Sequence, residues 1–165
     1  MAMELPREFV NLLRRRGVHK VLTTIGDDGF PHAALKQTLQ VDDAGRLFYL
    51  ELMESSVTNR NMVASLWFHR PVSILVSGTG GVSWELQGRP LRTLIAGPEF
   101  KKHYRLAHHR YGAMGLAAVW FIEPLALRDQ SRTRRLLEER EAHPFFVHLD
   151  RLAIPGQARR RAGKD

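Results

Sequence analysis

The sequence predicts a mainly β protein with inserted helices, folded as a small antiparallel β-barrel of six or seven strands. Six or seven short apolar or β-branched segments follow one another, separated by turns rich in glycine and proline. The helical segments do not alternate with strands in the βαβ order that builds a parallel sheet. A glycine within the strand-like residues 82–95 is typical of the bends that close small barrels. Together these features favour a barrel over a doubly wound sheet.

Composition indicates one globular domain, which we place at residues 1–154. The chain has 165 residues, of which 44% are hydrophobic and 25% charged. No apolar run approaches the roughly 20 residues that span a bilayer, so we expect no membrane segment. The N-terminus lacks the basic-then-apolar order of a signal peptide. The chain contains no cysteine, which excludes disulfides, and together these features favour a cytoplasmic protein.

The net charge of +8 raises the question of nucleic-acid binding. The last eleven residues, 155–165, contribute three of these net charges and leave +5 over the rest of the chain. We predict that they form a disordered basic tail. Elsewhere the arginines are scattered, and aromatic residues do not interleave with them as in a stacking platform. We therefore predict no specific nucleic-acid binding.

The first half of the chain predicts a helix followed by a three-stranded meander. The helix begins at Pro6 and stops at Gly17. Strands are predicted over residues 18–25, 32–41 and 47–52, with tight turns between them.

The second half predicts a helix over Val57–Trp67, whose apolar face is formed by Met62, Val63, Leu66 and Trp67. The remaining predicted elements are strands at Val72–Ser77, 82–95 (one bent strand or two) and 116–122, and helices at 98–110 and 131–142. We expect Pro124 to cut the last of these strands, with residues 125–127 as the candidate for its continuation. Residues 144–154 are apolar enough to pack, as either strand or helix.

Residues 47–62, LFYLELMESSVTNRNM, are the strongest functional candidate by pattern alone. An apolar strand runs into a polar turn with several hydroxyls and Arg60, and a helix follows. The free N–H groups and the dipole of a helix start favour an anion such as phosphate. The alternative is an ordinary N-cap, since serine and threonine start many helices.

Three histidines, His103, His108 and His109, share one predicted helix. The ligand spacing of zinc enzymes is missing, so we predict no metal site. The sequence also contains no nucleophile elbow and no dinucleotide-binding glycine pattern. We assign no catalytic residue.

The order of these parts resembles the flavin-binding split barrels of the pyridoxamine 5′-phosphate oxidase-like superfamily. In that family a Gly-x-Pro strand leads through an acidic turn to Gly-x-Leu/Val-x-Phe, a phosphate-binding turn opens a helix, and Asn-Pro-x-Val starts the next strand. Here Gly29-Phe30-Pro31 starts the pattern, Ser56 to Met62 stands at the turn, and Pro71-Val72 follows the helix. The likeness covers about residues 5–135 and implies an antiparallel split β-barrel.

The resemblance implies a flavin mononucleotide (FMN) site, carried over position by position. The second strand would lie along the flavin, and the end of the third strand and the phosphate turn would complete one protomer's share. These positions are Ala34, Leu35, Lys36, Gln37 and Thr38, then Tyr49 and Leu50, then Ser55, Ser56, Val57, Thr58, Arg60 and Asn61. Family members are homodimers, so Ser83 and Trp84 of the partner subunit would complete the cleft.

One departure concerns charge, because this chain has Val57-Thr58 where the oxidases proper have a basic pair. The phosphate would then rely on Lys36, Arg60, hydroxyls and backbone N–H groups. The resemblance implies an FMN-dependent oxidoreductase that exchanges hydride or electrons with a small molecule or a nicotinamide. The alternatives are a flavin carrier without turnover, or a haem- or deazaflavin-binding module on the same barrel.

Overall fold

The computed structural model describes residues 3–112 and 115–144. The predicted tail, 155–165, and nearly all of the apolar segment 144–154 lie outside the described residues. The helices are α1 (Arg7–Arg14), α2 (Val57–Trp67), α3 (Gly97–Tyr111) and α4 (Arg132–Ala142). The strands are β1 (His19–Ile25), β2 (Pro31–Leu35), β3 (Gln40–Val41), β4 (Leu47–Glu51), β5 (Val72–Ser77), β6 (Ser83–Leu94) and β7 (Ala118–Asp129). No helix in these ranges is long and apolar enough to cross a membrane.

The seven strands form one antiparallel sheet in the order β2-β1-β5-β6-β7-β4-β3, curled into a half-barrel. The mainly β class with inserted helices and the antiparallel split barrel are therefore confirmed. Helix α2 and strand β5 have the predicted bounds. The prediction that Pro124 cuts the last strand is wrong, because β7 runs without a break from Ala118 to Asp129.

The predicted meander is wrong in one respect, because the single strand expected at 32–41 is two strands. Strand β2 pairs with β1, whereas β3 pairs with β4 at the opposite edge of the sheet. Residues 36–39 between them form a turn, in which the N–H of Leu39 donates to the carbonyl of Lys36. So short a link spans at most about 18 Å. The two edges of the sheet must therefore curl toward each other, which gives the half-barrel.

Strand β6 is one long strand with irregular pairing near its middle, as the glycine there predicted. Its register against β7 shifts at Gln87/Gly88 and again at Pro90/Arg92. A Cβ at Gly88 would lie 2.8 Å from the Glu123 carbonyl oxygen and 2.9 Å from Ile122 Cγ2. Glycine lets the two backbones approach closely enough to bend.

The main core fills the concave side of the sheet, with a smaller cluster on the other side. Leu22, Ile74, Leu86 and Trp120 from four strands meet inside the half-barrel, and Phe9 from α1 packs against them. The smaller cluster joins β4 and β7 to α3 through Phe48, Phe121, Ala107 and neighbours. Helices thus pack against both faces of one sheet.

The apolar face predicted for α2 is right for Met62 and Leu66, which pack in the main core, and wrong for Val63 and Trp67. The buried residues of this helix are Thr58, Asn61, Met62 and Ser65. Of the four predicted, Met62 is fully buried, whereas Val63 is 42% and Trp67 74% exposed. The barrel presents polar partners to α2, since Thr24 accepts a hydrogen bond from Asn61. Polar contacts therefore set the orientation of the helix together with the apolar contacts of Met62 and Leu66.

Candidate functional site

The start of α2 is a capped helix terminus with two N–H groups left over. Ser56 is the N-cap, and its hydroxyl accepts a hydrogen bond from the Asn59 N–H at 3.0 Å. The N–H groups of Val57 and Thr58 precede any intrahelical acceptor, as in every helix. The N-cap and anion-site interpretations of this stretch are therefore compatible, because the cap uses only one of the first-turn donors.

A cleft of about 390 Å³ lies between this helix start and the β1–β2 turn. Arg60 lines it, is exposed, and forms no ion pair with any described residue. Phe30, 72% exposed, and Val57, 41% exposed, add apolar surface to the same cleft. The cleft thus offers a free cation beside apolar side chains, which suits a ligand with an anionic group and an aromatic part.

Two acids also line this cleft and oppose an anion there. Asp28 accepts a hydrogen bond from the Phe30 N–H at 3.0 Å, which fixes the turn. Asp27 lies 3.6 Å from the guanidinium of Arg70, which offsets part of its charge. Arg60 therefore supplies the positive potential of the cleft. The acidic turn opposes it, but Arg70 neutralises part of the charge of that turn.

His32 is a cleft residue that the sequence reasoning missed. Its Nε2 lies 3.3 Å from Thr58 Oγ1, and Thr58 itself is buried. Strand periodicity could have identified His32, because it shares a face with the predicted site residue Ala34, two positions on. The contact also explains why Thr58 suits this chain, since a long basic side chain would not fit at this buried position.

Two further hydrogen bonds fix the first turns of α2 to the barrel. The amide of Asn61 donates to Thr24 Oγ1 at 3.1 Å. The indole N–H of Trp120 donates to Asn59 Oδ1 at 2.9 Å. Because both partners belong to strands, these hydrogen bonds hold the start of α2 in place beside the cleft.

Lys36 lies in a buried ion pair. Its ammonium is 2.6 Å from Glu51 Oε2, and the two side chains are 12% and 3% exposed. The same ammonium lies 5.4 Å from the centre of the Tyr49 ring. Glu51 thus neutralises the charge that the sequence reasoning offered to a phosphate, and the role of Lys36 toward the ligand stays a prediction.

Tyr49 and Leu50 lie in two different core clusters, and neither side chain reaches the surface. The Tyr49 hydroxyl is buried without a hydrogen-bond partner among the described residues. Burial, with the negative charge of Glu51, raises the pKa of Tyr49 above its ordinary value. Tyr49 is therefore a neutral phenol that lines the interior of the half-barrel.

The second-strand positions divide between two places. Ala34 and Leu35 end the edge strand β2, where Leu35 is 61% exposed. Gln37 and Thr38 lie in the crossover and line a different cavity from Arg60. Thr38 Oγ1 bridges to β4, donating to the Leu50 carbonyl and accepting from the Leu50 N–H.

Ser55 precedes the cap and is exposed, whereas Ser83 and Trp84 do not line the cleft at the helix start. They begin β6, whose other end, at Leu94, pairs with Val119 of β7 beside β4. The backbone of Ser83 hydrogen-bonds Ser131, and Trp84 packs edge-on against Phe9 at 6.1 Å. Their contribution from a second protomer stays a prediction.

The histidines of α3 are not gathered at one point. His103 packs against Phe48 at 4.9 Å and Phe121 at 6.2 Å between ring centres. His108 and His109 are exposed. In the ranges 3–112 and 115–144, no three metal-ligating side chains form a group.

Solved structures share this architecture. An FMN-binding protein from Syntrophomonas wolfei matches with a TM-score of 0.61 and 12% identity, over 76% of this chain and 88% of its own. A candidate pyridoxamine 5′-phosphate oxidase from Lactobacillus delbrueckii matches at 0.58 and 17%, over 76% and 93%. An F420 reductase matches at 0.56 and 17%, over 75% and 98%. The chain has the split-barrel fold. By sequence, no family model and no curated protein matches it.

Proposed function

We propose that this protein binds FMN in the cleft at the start of α2 and acts as an FMN-dependent oxidoreductase. The observation that carries the proposal is Arg60, an exposed guanidinium without an ion pair in the described chain, beside the free N–H groups of Val57 and Thr58. The fold adds support, because an FMN-binding protein shares it. Helix starts and arginine forks are both suited to phosphate.

The residues of the cleft supply a modest positive charge for a phosphate and apolar surface for an aromatic ring. Arg60 and the two N–H groups would hold the phosphate, and the exposed hydroxyl of Ser55 could donate as well. Phe30 and Leu35 are exposed apolar side chains near the same edge of the sheet, and they would pack against the ring. The ion pair between Lys36 and Glu51 would position the crossover that follows β2 against the end of β4.

FMN supplies hydride and single-electron chemistry when bound, so the protein itself needs no dedicated acid or base. The chain's own task is to bind the phosphate, orient the ring and leave a side open for a small-molecule or nicotinamide redox partner. We place this activity in the cytoplasm, in line with the absence of cysteine.

A homodimer forms part of the proposal, and the convex face of the sheet supports it. Side chains of paired residues share a face, so Leu35, Val21, Leu75 and Glu85 form one row across β2, β1, β5 and β6. The adjoining row is Ala33, Thr23, Ser73 and Gln87. Only Glu85 is charged in these eight positions. A face with so little charge at these positions suits a second copy, whose Ser83 and Trp84 would then approach the cleft.

A deazaflavin is the second candidate ligand, because an F420 reductase has the same fold. It would use the same cleft and the same Arg60. A carrier that binds flavin without turnover is a second candidate role.

The proposal is tested by titrating the protein into FMN and following the quenching of flavin fluorescence. We expect saturable binding that Arg60→Ala weakens about tenfold, since a charged hydrogen bond is lost. The matched control is Arg105→Ala, an exposed arginine on α3 away from the cleft. Equal affinities of all three proteins would refute the phosphate assignment, and tight binding of a deazaflavin alone would select the second ligand.

Oxidoreductase activity is tested separately with the FMN-loaded protein. We expect reduced nicotinamide to bleach the flavin absorbance in the absence of oxygen. A protein that stays yellow with both nicotinamides and with small-molecule donors would support the carrier instead.

A further inference from the structure

A second cavity lies at the crossover between β2 and β3. It holds about 360 Å³ and is bounded by the end of α1, the crossover residues and the end of α3. Four cationic side chains line it, and no acidic side chain does: Arg14, Arg15, Lys20 and Arg110. It shares no lining residue with the cleft at Arg60.

Lys20 is the informative member, because it is a buried ammonium without a counter-charge. It is the second residue of β1 and is only 9% exposed. Its Nζ donates to the Leu39 carbonyl at 2.8 Å and lies 3.4 Å from the Gln37 carbonyl. No carboxylate in the described chain pairs with it. Buried charges are ordinarily paired, so the site is electrostatically incomplete.

The surrounding arginines add to that imbalance. Burial, with Arg110 nearby, lowers the pKa of Lys20 below its ordinary value. Arg14, Arg15 and Arg110 likewise have no ion pair within the described ranges. Arginine at the end of α1 or α3 would ordinarily only complement the helix dipole. That explanation does not cover Lys20, which belongs to a strand and points to the same cavity.

We propose that this cavity binds a compact multivalent oxyanion, of which a diphosphate group is the type. Its negative charges would pair with Lys20 inside the cavity and with the exposed Arg14, Arg15 and Arg110 at its rim. The ligand would also contact the crossover through Gln37 and Thr38. Thr38 hydrogen-bonds the backbone of Leu50 in β4. A ligand in this cavity would therefore contact a residue that is hydrogen-bonded to the strand before α2.

The test is calorimetric titration of the full chain with inorganic pyrophosphate at low and at raised ionic strength. We expect saturable binding that weakens with salt, and an affinity about tenfold lower for Arg110→Ala and for Lys20→Met. Arg14→Ala, at an exposed position, keeps the test decisive if Lys20→Met fails to fold. The matched control is Arg16→Ala, which belongs to the same arginine run but does not line the cavity.

Three results would overturn the proposal: no saturable binding, an equal loss for Arg16→Ala, or loss of pyrophosphate binding when FMN is present. The last result would place pyrophosphate in the flavin cleft, whereas failure of FMN binding alone leaves this site standing. A parallel titration with ADP distinguishes the source of the diphosphate. Tighter binding of ADP would indicate a nucleotide, and tighter binding of pyrophosphate a free anion.

Discussion

Single residues of this protein are constrained by buried charge, and the clearest case is the pair Lys36–Glu51. The carboxylate of Glu51 is 3% exposed and also accepts the Met53 N–H, at Oε1. Removing one partner of a buried pair leaves the other charge buried and unpaired, which lowers the free energy of unfolding by several kcal/mol. Residues 36 and 51 are therefore held as a unit, whatever they do toward a ligand.

We predict that Lys36→Met lowers the free energy of unfolding by about 3 kcal/mol, because it leaves the Glu51 carboxylate buried and unpaired. Urea denaturation measures the change. The double variant Lys36→Met/Glu51→Leu should recover most of the loss, since it removes both charges. A double variant that is as unstable as the sum of the two single variants would contradict a coupled pair.

His103 should make stability depend on pH. Desolvation against Phe48 and Phe121 is the main reason why its pKa is lowered. Between this folded pKa and the unfolded value of about 6.5, the unfolded chain binds more protons, so stability falls as pH drops through this window. We expect His103→Gln to lose less stability than the wild type between neutral and mildly acidic pH, by urea denaturation. His109→Gln, at an exposed position of the same helix, should keep the wild-type response.

At the scale of elements, the start of α2 combines a cap with the proposed ligand site, and two neighbouring serines separate these roles. Ser56 accepts the Asn59 N–H, whereas Ser55 is exposed and makes no hydrogen bond within the described residues.

We expect Ser56→Ala to cost about 1 kcal/mol of stability, as the loss of a cap does. Ser55→Ala should leave thermal unfolding unchanged and weaken FMN binding in the quenching titration. A loss of stability for Ser55→Ala equal to that for Ser56→Ala would contradict this separation of roles.

At the scale of the whole molecule, the convex sheet face is the surface on which we propose that a second copy packs. The sheet closes only half a barrel, and of the eight convex positions described on β2, β1, β5 and β6 only Glu85 is charged. Leu75, in the middle of these positions, is 42% exposed in the single chain. A second copy would cover this surface and bring two clefts into one assembly.

We predict that the wild type is a dimer and Leu75→Arg a monomer in light scattering after gel filtration, because the proposed dimer would bury two unpaired charges near its centre. Leu137→Arg, at an equally exposed position on α4, should remain dimeric. A monomeric wild type would remove the basis for a shared cleft.

Local patterns predicted most of the elements, because capping residues, turn residues and residue spacing act over a few neighbours in the chain. Ser56 and Pro71 mark the two ends of α2 and its loop, and Gly88 marks the bend in β6. The same logic failed for residues 32–41, where continuous strand-like composition hid a turn. It failed in part for α2, whose buried face also depends on polar partners that come from distant strands.

The sequence by itself determined the class of fold, the order of its elements and a helix start suited to an anion. These follow from periodicity, turn residues and capping, which act over a few neighbours in the chain. Only the tertiary structure decided which charges are free: Lys36 is neutralised by Glu51, Arg60 is not paired within the described chain, and Lys20 is buried among arginines. The physical reason is that pairing and desolvation depend on residues brought together across the sheet, far apart in sequence.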